Sequence, residues 1–510
     1  MTSKDRIEQL LEQLFPICEK WIEEKNGEVF FVDPIDGEEI SAHYGATHMA
    51  AALIIYGKMK QQRLMYDRGI RLLKSILARW NHSKTLPAFH FDFNNFALCL
   101  IEEVIKDKEA NLSEEIGSIV LDTPDSNHNT TNWLPMRWYV NQMRYNWTGD
   151  EIYLKRCQEL KHRIELATNE DGGIEDRMPK GLSFNLQYDV ATVGVLQLLR
   201  IRGVGYNLSK EFQFLLNAVA PDGDINYQGR GTNQIFAWSL WIYLLATSTN
   251  EERLATALDL LEPKVVDMYR RNNLMLNEWD GAEKYLWWDY HYCSVYCAHF
   301  LLWLVLSLKD YGMKAIAPAT GVTVNDTGLD IIKSKKSFVS VFSGRKEYLS
   351  ERGPIVSAVW MSKYGILSKG SFGPWQGAFG NKYSNQTVLF NYCGLLYYKK
   401  PFYARYQLLN KVLSKFGITC NSKAIPAFVP VDVGENNDGL VFCFKVEKKD
   451  KYALNLSLAE GLNSSPQITV EVDEQIEKMH QIAKIKNQYG WISVMQTRPI
   501  EGTIWTLKIE

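Results

Sequence analysis

The run Val295-Tyr296-Cys297-Ala298-His299-Phe300-Leu301-Leu302-Trp303-Leu304-Val305-Leu306-Ser307-Leu308 is apolar on every side of a helical wheel. A helix with no polar face must be enclosed on all sides. Interrupted by His299, the stretch from Ser294 to Leu308 is too short for an ordinary membrane span. Its enclosure must therefore be protein. Two further segments share this character, Val190 to Leu199 and Ile235 to Leu245. Between them lie segments charged along one face, such as Met65 to Arg79 and Asp150 to Glu165. Charged outer helices around apolar inner helices describe an α/α toroid of helical hairpins.

Helical periodicity recurs near residues 4–24, 46–59, 62–80, 92–107, 131–147, 150–167, 186–201, 208–219, 232–247, 250–270 and 286–309. Turn signals divide these segments, among them Asp171-Gly172-Gly173 and Pro221-Asp222-Gly223-Asp224. After a looser segment, Ala315 to Gly328, the period becomes that of strands. Ser337–Ser343, Leu440–Val446, Tyr452–Leu458, Ile468–Val472, Trp491–Thr497 and Thr503–Ile509 alternate β-branched and aromatic residues. The expected organisation is multidomain, α then β: a catalytic toroid over 1–314, a linker over 315–330 and an antiparallel β-sandwich over 331–510.

Composition narrows the function classes. The chain has 510 residues, 46% hydrophobic and 23% charged, with a formal net charge of −2. That balance gives no electrostatic reason to bind nucleic acid or a membrane. Eight cysteines without a disulfide framework read as free buried thiols in a reducing compartment. No secretory signal is visible in Met1 to Gln13, so a cytoplasmic location is expected. No cofactor is expected. The sequence near His291, Cys293, Cys297 and His299 reads as packed thiols rather than a metal site.

Polar and aromatic residues gather where the inner helices begin. The clusters are His43-Tyr44-Gly45-Ala46-Thr47-His48, His90-Phe91-Asp92-Phe93-Asn94-Asn95, Ser126-Asn127-His128-Asn129-Thr130-Thr131-Asn132-Trp133, Asn185-Leu186-Gln187-Tyr188-Asp189, Gly229-Arg230-Gly231-Thr232-Asn233-Gln234 and Trp287-Trp288-Asp289-Tyr290-His291-Tyr292. In a toroid these starts share one rim, so the clusters converge on one cleft. Thr47, Asn94 and Thr232 read as helix caps. The Asn127 cluster supplies more neutral donors than a cap needs, as a carboxylate-binding site would.

Taken together, the sequence resembles the polysaccharide lyases of the heparinase and alginate lyase type. The resemblance covers nearly the whole chain in architecture. Asn127-His128 with Trp133 is similar to one branch, and Asn132-Trp133 to another. Asp171-Gly172-Gly173-Ile174 leading to Gln187-Tyr188 resembles the Gly-rich loop and tyrosine of the family. Here the cluster opens on Ser126, and Glu175 to Ser183 stands between loop and tyrosine. The resemblance implies β-elimination from an anionic, uronic-acid-containing oligosaccharide or polysaccharide. On this reading Asn127 and His128 neutralise the uronate carboxylate, with Asn132 and Arg230 as further candidates. Tyr188 is the base and acid, with Tyr290 or His291 as alternatives. Trp133, His43, His90, Asp92, Gln187, Asn233 and Gln234 complete the substrate-binding set. A toroid glycosidase of the unsaturated glucuronyl hydrolase kind, using Asp92, Asp189 or Asp289, is the competing enzyme. A non-catalytic carbohydrate-binding protein is the third reading. The structural alternative for Arg230 is an ion pair with Asp189 or Asp224. In the β part, 371–377 and 381–386 are polar, aromatic loops of the kind that can close over a cleft.

Overall fold

A computed structural model describes residues 1–34, 37–83, 90–125, 130–178, 181–228, 235–270, 293–319, 327–342, 355–369, 394–398, 424–426, 429–436, 439–487 and 490–510. The apolar helices form a closed ring: α2 (Gly45–Met59), α4 (Phe91–Ile105), α6 (Leu134–Thr148), α8 (Leu186–Ile201), α10 (Phe236–Thr247) and α12 (Cys293–Lys309). Each packs on the next, and α12 returns to α2. Outside them lie α1 (Ser3–Cys18), α3 (Arg63–Ser83), α5 (Ala110–Asp122), α7 (Glu151–Ala167), α9 (Ser209–Ala218) and α11 (Glu251–Arg270). Every described side chain from Cys293 to Leu308 is buried, as the opening run requires. Among the described residues, no helix is long and apolar enough to cross a membrane.

The ring closes where its first and last inner helices meet. An added Cβ at Gly45 would lie 3.0 Å from the Val295 Cα, so only a glycine lets the two backbones approach this closely. Beside that contact the fully buried Asp33 carboxylate accepts from the Ser294 N–H and its hydroxyl, both at 2.7 Å. A carboxylate on the first turn of α12 satisfies donors that the helix leaves open and favours its dipole.

Three elements depart from the periodicity reading. The segment 4–24 is not one helix: α1 stops at Cys18, and β1 (Ile22–Lys25) turns back as β2 (Glu28–Phe31). Asn26 and Gly27, with φ of 55° and 83°, make the two-residue turn, which overrides the helical pattern before it. Helix α5 lies between two expected helices. Its buried stripe is only Leu112, Ile116 and Val120, too narrow to stand out. Shortly before α8, β3 (Asp176–Met178) pairs antiparallel with β4 (Gly181–Ser183).

The C-terminal part is antiparallel throughout. A four-stranded sheet runs in the order β5 (Leu329–Lys333), β6 (Ser337–Phe342), β7 (Ile355–Met361), β8 (Gly365–Lys369). A second sheet places β13 (Lys451–Ala459) between β9 (Gly394–Tyr398) and β17 (Gly490–Thr497). It continues to β10 (Ala424–Pro426) and β16 (Met479–Asn487), with β18 (Ile500–Glu501) also on β13. A third holds β11 (Val431–Glu435), β12 (Leu440–Lys445), β19 (Ile504–Ile509), β14 (Ile468–Val472) and β15 (Gln475–Glu477). Leu454 and Leu456 from the second sheet meet Phe442, Phe444, Leu507 and Ile509 from the third in one core, the sandwich expected.

The four-stranded sheet has two dry faces. Phe338, Phe342 and Ala358 join the core of the helical ring, while Val339, Val341, Val356 and Val359 join the sandwich core. At the edge of this contact the buried Lys369 of β8 pairs with Asp222, and with Asp224 at 3.0 Å. Asp224 also accepts from the Trp238 indole N–H at 2.7 Å. Burial opposes the Lys369 ammonium, yet the two carboxylates hold its pKa above the ordinary value. Burial likewise opposes the Asp224 carboxylate, and Lys369 keeps its pKa below the ordinary value.

Two substitutions test these joints by urea or thermal unfolding. Asp33→Ala strands two buried donors and is expected to cost about 1–3 kcal/mol. A wild-type melting curve would show that the seam does not depend on this carboxylate. Lys369→Met leaves Asp224 buried without its counter-charge and is expected to cost about 3–5 kcal/mol. An unchanged midpoint would remove the ion pair from the joint between the helical and β parts.

Candidate functional site

The N-terminal ends of the inner helices bring their rings together. Tyr44 and His90 occupy the N-cap positions of α2 and α4, and neither caps its helix through its side chain. Their rings turn inward, 5.4 Å apart between centroids. His43 lies 4.2 Å from His90, and His90 lies 5.7 Å from Trp133. Phe93 stacks on Tyr44 at 4.3 Å and meets Trp133 edge-on at 5.2 Å. His299 of α12 sits 5.7 Å from Tyr44 and 6.4 Å from Phe236 of α10. Phe236 in turn stacks with Tyr188 of α8 at 6.0 Å. Helices α2, α4, α8, α10 and α12, with the turn preceding α6, thus contribute to one continuous aromatic and imidazole floor.

Thr47 and Asn94 were expected to cap their helices. Instead the Thr47 hydroxyl spans to the Asn94 carbonyl oxygen at 2.7 Å, tying α2 to α4. The Asn94 amide donates to the His90 carbonyl at 3.1 Å. Polar residues at these helix starts therefore hold the floor together laterally. By contrast Asn185 does cap α8, accepting from the N–H groups of Gln187 and Tyr188 at 3.1 and 3.3 Å.

Burial disfavours the charged forms of His43, His48, His299 and Tyr44. Burial lowers the His43 pKa to about 4 and that of His299 to about 3. Burial also holds His48 well below its ordinary value, with His299 adding to the effect at 5.2 Å between rings. The His48 Nδ1 lies 2.9 Å from the Tyr44 carbonyl. A carbonyl only accepts, so Nδ1 carries the proton and Nε2 presents a lone pair. Burial, then the neighbouring Tyr188, raises the Tyr44 phenol pKa. Neutral imidazoles and protonated phenols in a dry floor can exchange protons with a substrate without a resident charge to be solvated.

Of the residues expected at the site, the floor gathers His43, His90, Trp133 and Tyr188. Tyr188 is half-buried and reaches the rim. Asn132 lies beside Trp133, with its side-chain oxygen buried and without a partner among the described residues. Asp92 is engaged elsewhere: the Arg137 Nε donates to it at 2.8 Å, with both groups buried. The pair braces α4 against α6. Gln187 is fully buried and donates to the Asn226 carbonyl at 3.4 Å, away from the rim. Asp189 accepts from the Ile174 N–H at 3.3 Å. Burial first, with Asp171 and Glu211 adding to it, raises its pKa well above the ordinary value. Asn127, His128, Thr232, Arg230, Asn233, Gln234, Asp289, Tyr290 and His291 lie outside the described residues, as do the loops 371–377 and 381–386.

Sequence reasoning passed over Phe93, Phe236, His48 and His299, which complete the floor. Each sits in or next to a quoted cluster or apolar run, but aromatic residues in apolar helices read as ordinary core. It also passed over Asp176, which accepts from the Thr131 N–H at 2.7 Å and the Asn132 N–H at 3.3 Å.

No protein-family model and no curated relative matches the chain. Solved structures give distant likenesses. An α-1,6-mannanase from Salegentibacter sp. HEL1_6, in complex with α-1,6-mannotriose, is 13% identical at a TM-score of 0.40, covering 60% of this chain and 98% of that one. An unsaturated glucuronyl hydrolase from Streptococcus agalactiae is 13% identical at a TM-score of 0.41, covering 61% and 92%. A polysaccharide lyase is 11% identical at a TM-score of 0.36, covering 59% and 97%.

The neutral imidazoles set a pH dependence with a definite sign. Their folded pKa values lie below the ordinary 6.5, so the unfolded chain binds more protons on acidification. The stability they contribute is complete above pH 6.5. It is lost as pH falls through about 4 for His43 and about 3 for His299. His299→Gln should flatten the acid limb of a melting-temperature profile below pH 6.5. An acid limb identical to wild type would exclude His299 as one of its sources.

Proposed function

We propose that the chain is a carbohydrate-active enzyme and, more specifically, a lyase that cleaves a uronic-acid-containing oligosaccharide by β-elimination. One observation supports this above others: a half-buried tyrosine stands over a floor of neutral imidazoles and aromatic rings. Aromatic faces accept the apolar faces of sugar rings, and the polar tips hold hydroxyls. Of the carboxylates considered for a hydrolase that uses one or two of them, Asp92 is taken up by Arg137 and Asp189 accepts from the Ile174 N–H, while Asp289 lies outside the described residues.

In this reading Tyr188, as the phenolate with its own proton already given up to solvent, takes the C5 proton of a uronate residue. The electron pair forms the C4–C5 double bond, the C4–O4 bond breaks, and Tyr188 passes the proton it has taken to the leaving oxygen, which restores the phenolate. The C5 proton is hard to remove because the adjacent carboxylate is already negative. Neutral donors on that carboxylate let the developing charge spread into it. Asn132, next to Trp133, is the described candidate for that task, through its amide N–H groups. Asn127, His128 and Arg230 are the further candidates for it.

Incubation with uronate polymers and oligosaccharides tests the proposal through the ultraviolet absorbance of the conjugated product. Tyr188→Phe removes the transferable proton but keeps the ring stacked on Phe236, and is expected to lower kcat by about 100-fold or more. Release of reducing ends without the conjugated product would sink elimination and favour the hydrolase. Undiminished turnover in Tyr188→Phe would remove Tyr188 from the chemistry.

A further inference from the structure

The turn Thr131–Trp133 carries Trp133 into the floor, with Asn132 next to it in the chain, yet no side chain of its own caps it. The N-cap position is Thr130, whose hydroxyl makes no capping bond. Two of its backbone donors are instead satisfied from a distant part of the chain. One oxygen of the buried Asp176 carboxylate accepts from the Thr131 N–H at 2.7 Å and from the Asn132 N–H at 3.3 Å. A carboxylate accepting backbone N–H groups at a helix start makes charge-assisted bonds, stronger than those of a neutral cap.

Asp176 is itself fixed. It pairs with Ser183 across the hairpin of β3 and β4. From Ser183 only Phe184 intervenes before Asn185, the residue that caps α8 and sets the first turn holding Tyr188. One carboxylate thus couples the segment leading into α6 to the segment leading into α8. Those segments carry, respectively, the Asn132–Trp133 pair and Tyr188. Nothing in the sequence order brings them together: Asp176 is separated from Thr131 by 45 positions and by the whole of α6 and α7.

We infer that Asp176 is a positioning residue, whose carboxylate holds Asn132 and Trp133 in register with Tyr188 so that a sugar unit is gripped and presented to the tyrosine. The inference rests on the proposed role of Tyr188. Its physical content is separate: a buried charge fixes the geometry between two groups on different helices. Small errors in such geometry are costly in rate, about 100-fold for a displacement near 1 Å.

Two substitutions weaken the same contact from opposite sides. Asp176→Asn keeps the size of the side chain and an accepting amide oxygen, but removes the charge that strengthens both bonds. Thr131→Pro deletes the donor at the first position of the turn, where proline fits, and Thr130 already has the extended ψ of 127° that a following proline requires. Hydrogen exchange of the full chain, read on a peptide covering 130–134, should show faster exchange at Asn132 in both variants and at Thr131 in Asp176→Asn. Turnover should fall by about 10- to 100-fold in kcat, with a smaller change in KM and no matching loss of folded protein. The double variant should lose little more than Asp176→Asn alone, because Thr131→Pro removes one of the two bonds that this carboxylate makes.

Wild-type exchange at Asn132 in Asp176→Asn would overturn the inference. So would an unchanged kcat in both variants, or fully additive losses in the double variant. The exchange measurement needs no substrate. If the wild-type chain forms no conjugated product, the elimination reading fails while the brace is still tested. Turnover of the variants is then read on reducing-end release instead.

Discussion

Closure of the helical ring is the constraint on which the remaining structure depends. An apolar inner helix is stable only when neighbours cover it on both flanks, so an open ring would leave α2 and α12 each with a bare side. Closing it requires two backbones nearly 250 positions apart to meet at a glycine, Gly45 against Val295. A buried carboxylate, Asp33, holds the first turn of α12 in place there. Closure also creates the floor, because it sets His299 of the last inner helix beside Tyr44 and His48 at the start of the first.

The site follows from what closure removes, namely water. Imidazoles in the open would titrate near 6.5; under the rim, burial holds His43, His48 and His299 neutral through the physiological range. The same burial raises the Tyr44 phenol. Charges that do occur near the floor are paired, as in Asp92 with Arg137, or turned to backbone donors, as in Asp176.

The β part is joined to this ring by a sheet that has no solvent face. Residues of β6 alternate between the two cores, Phe338 and Phe342 to one side, Val339 and Val341 to the other. Alternation in a strand separates its side chains by face, so one strand serves both cores. Lys369 adds an ion pair at that junction, where loss of either partner would strand a buried charge.

The sequence by itself determined the order of the two parts, the inner and outer helices, and that the inner helices begin in polar and aromatic clusters. Those are properties of local period, and local period survives without knowledge of neighbours. Helix α5 escaped because its stripe of Leu112, Ile116 and Val120 is narrow, and the first hairpin because a helical pattern ran up to Asn26-Gly27. That His43, His90, Trp133 and Tyr188 would gather was legible, since each stands where an inner helix begins and the starts share a rim. Only the tertiary structure decided which polar groups remain available there. Asp92 found Arg137, Asp189 turned to Ile174, Thr47 found Asn94, and Asp176 arrived from another hairpin to hold Asn132. The reason is that a buried polar group must find a partner, and its partner is set by proximity in space, which residue types and spacing along the chain do not contain.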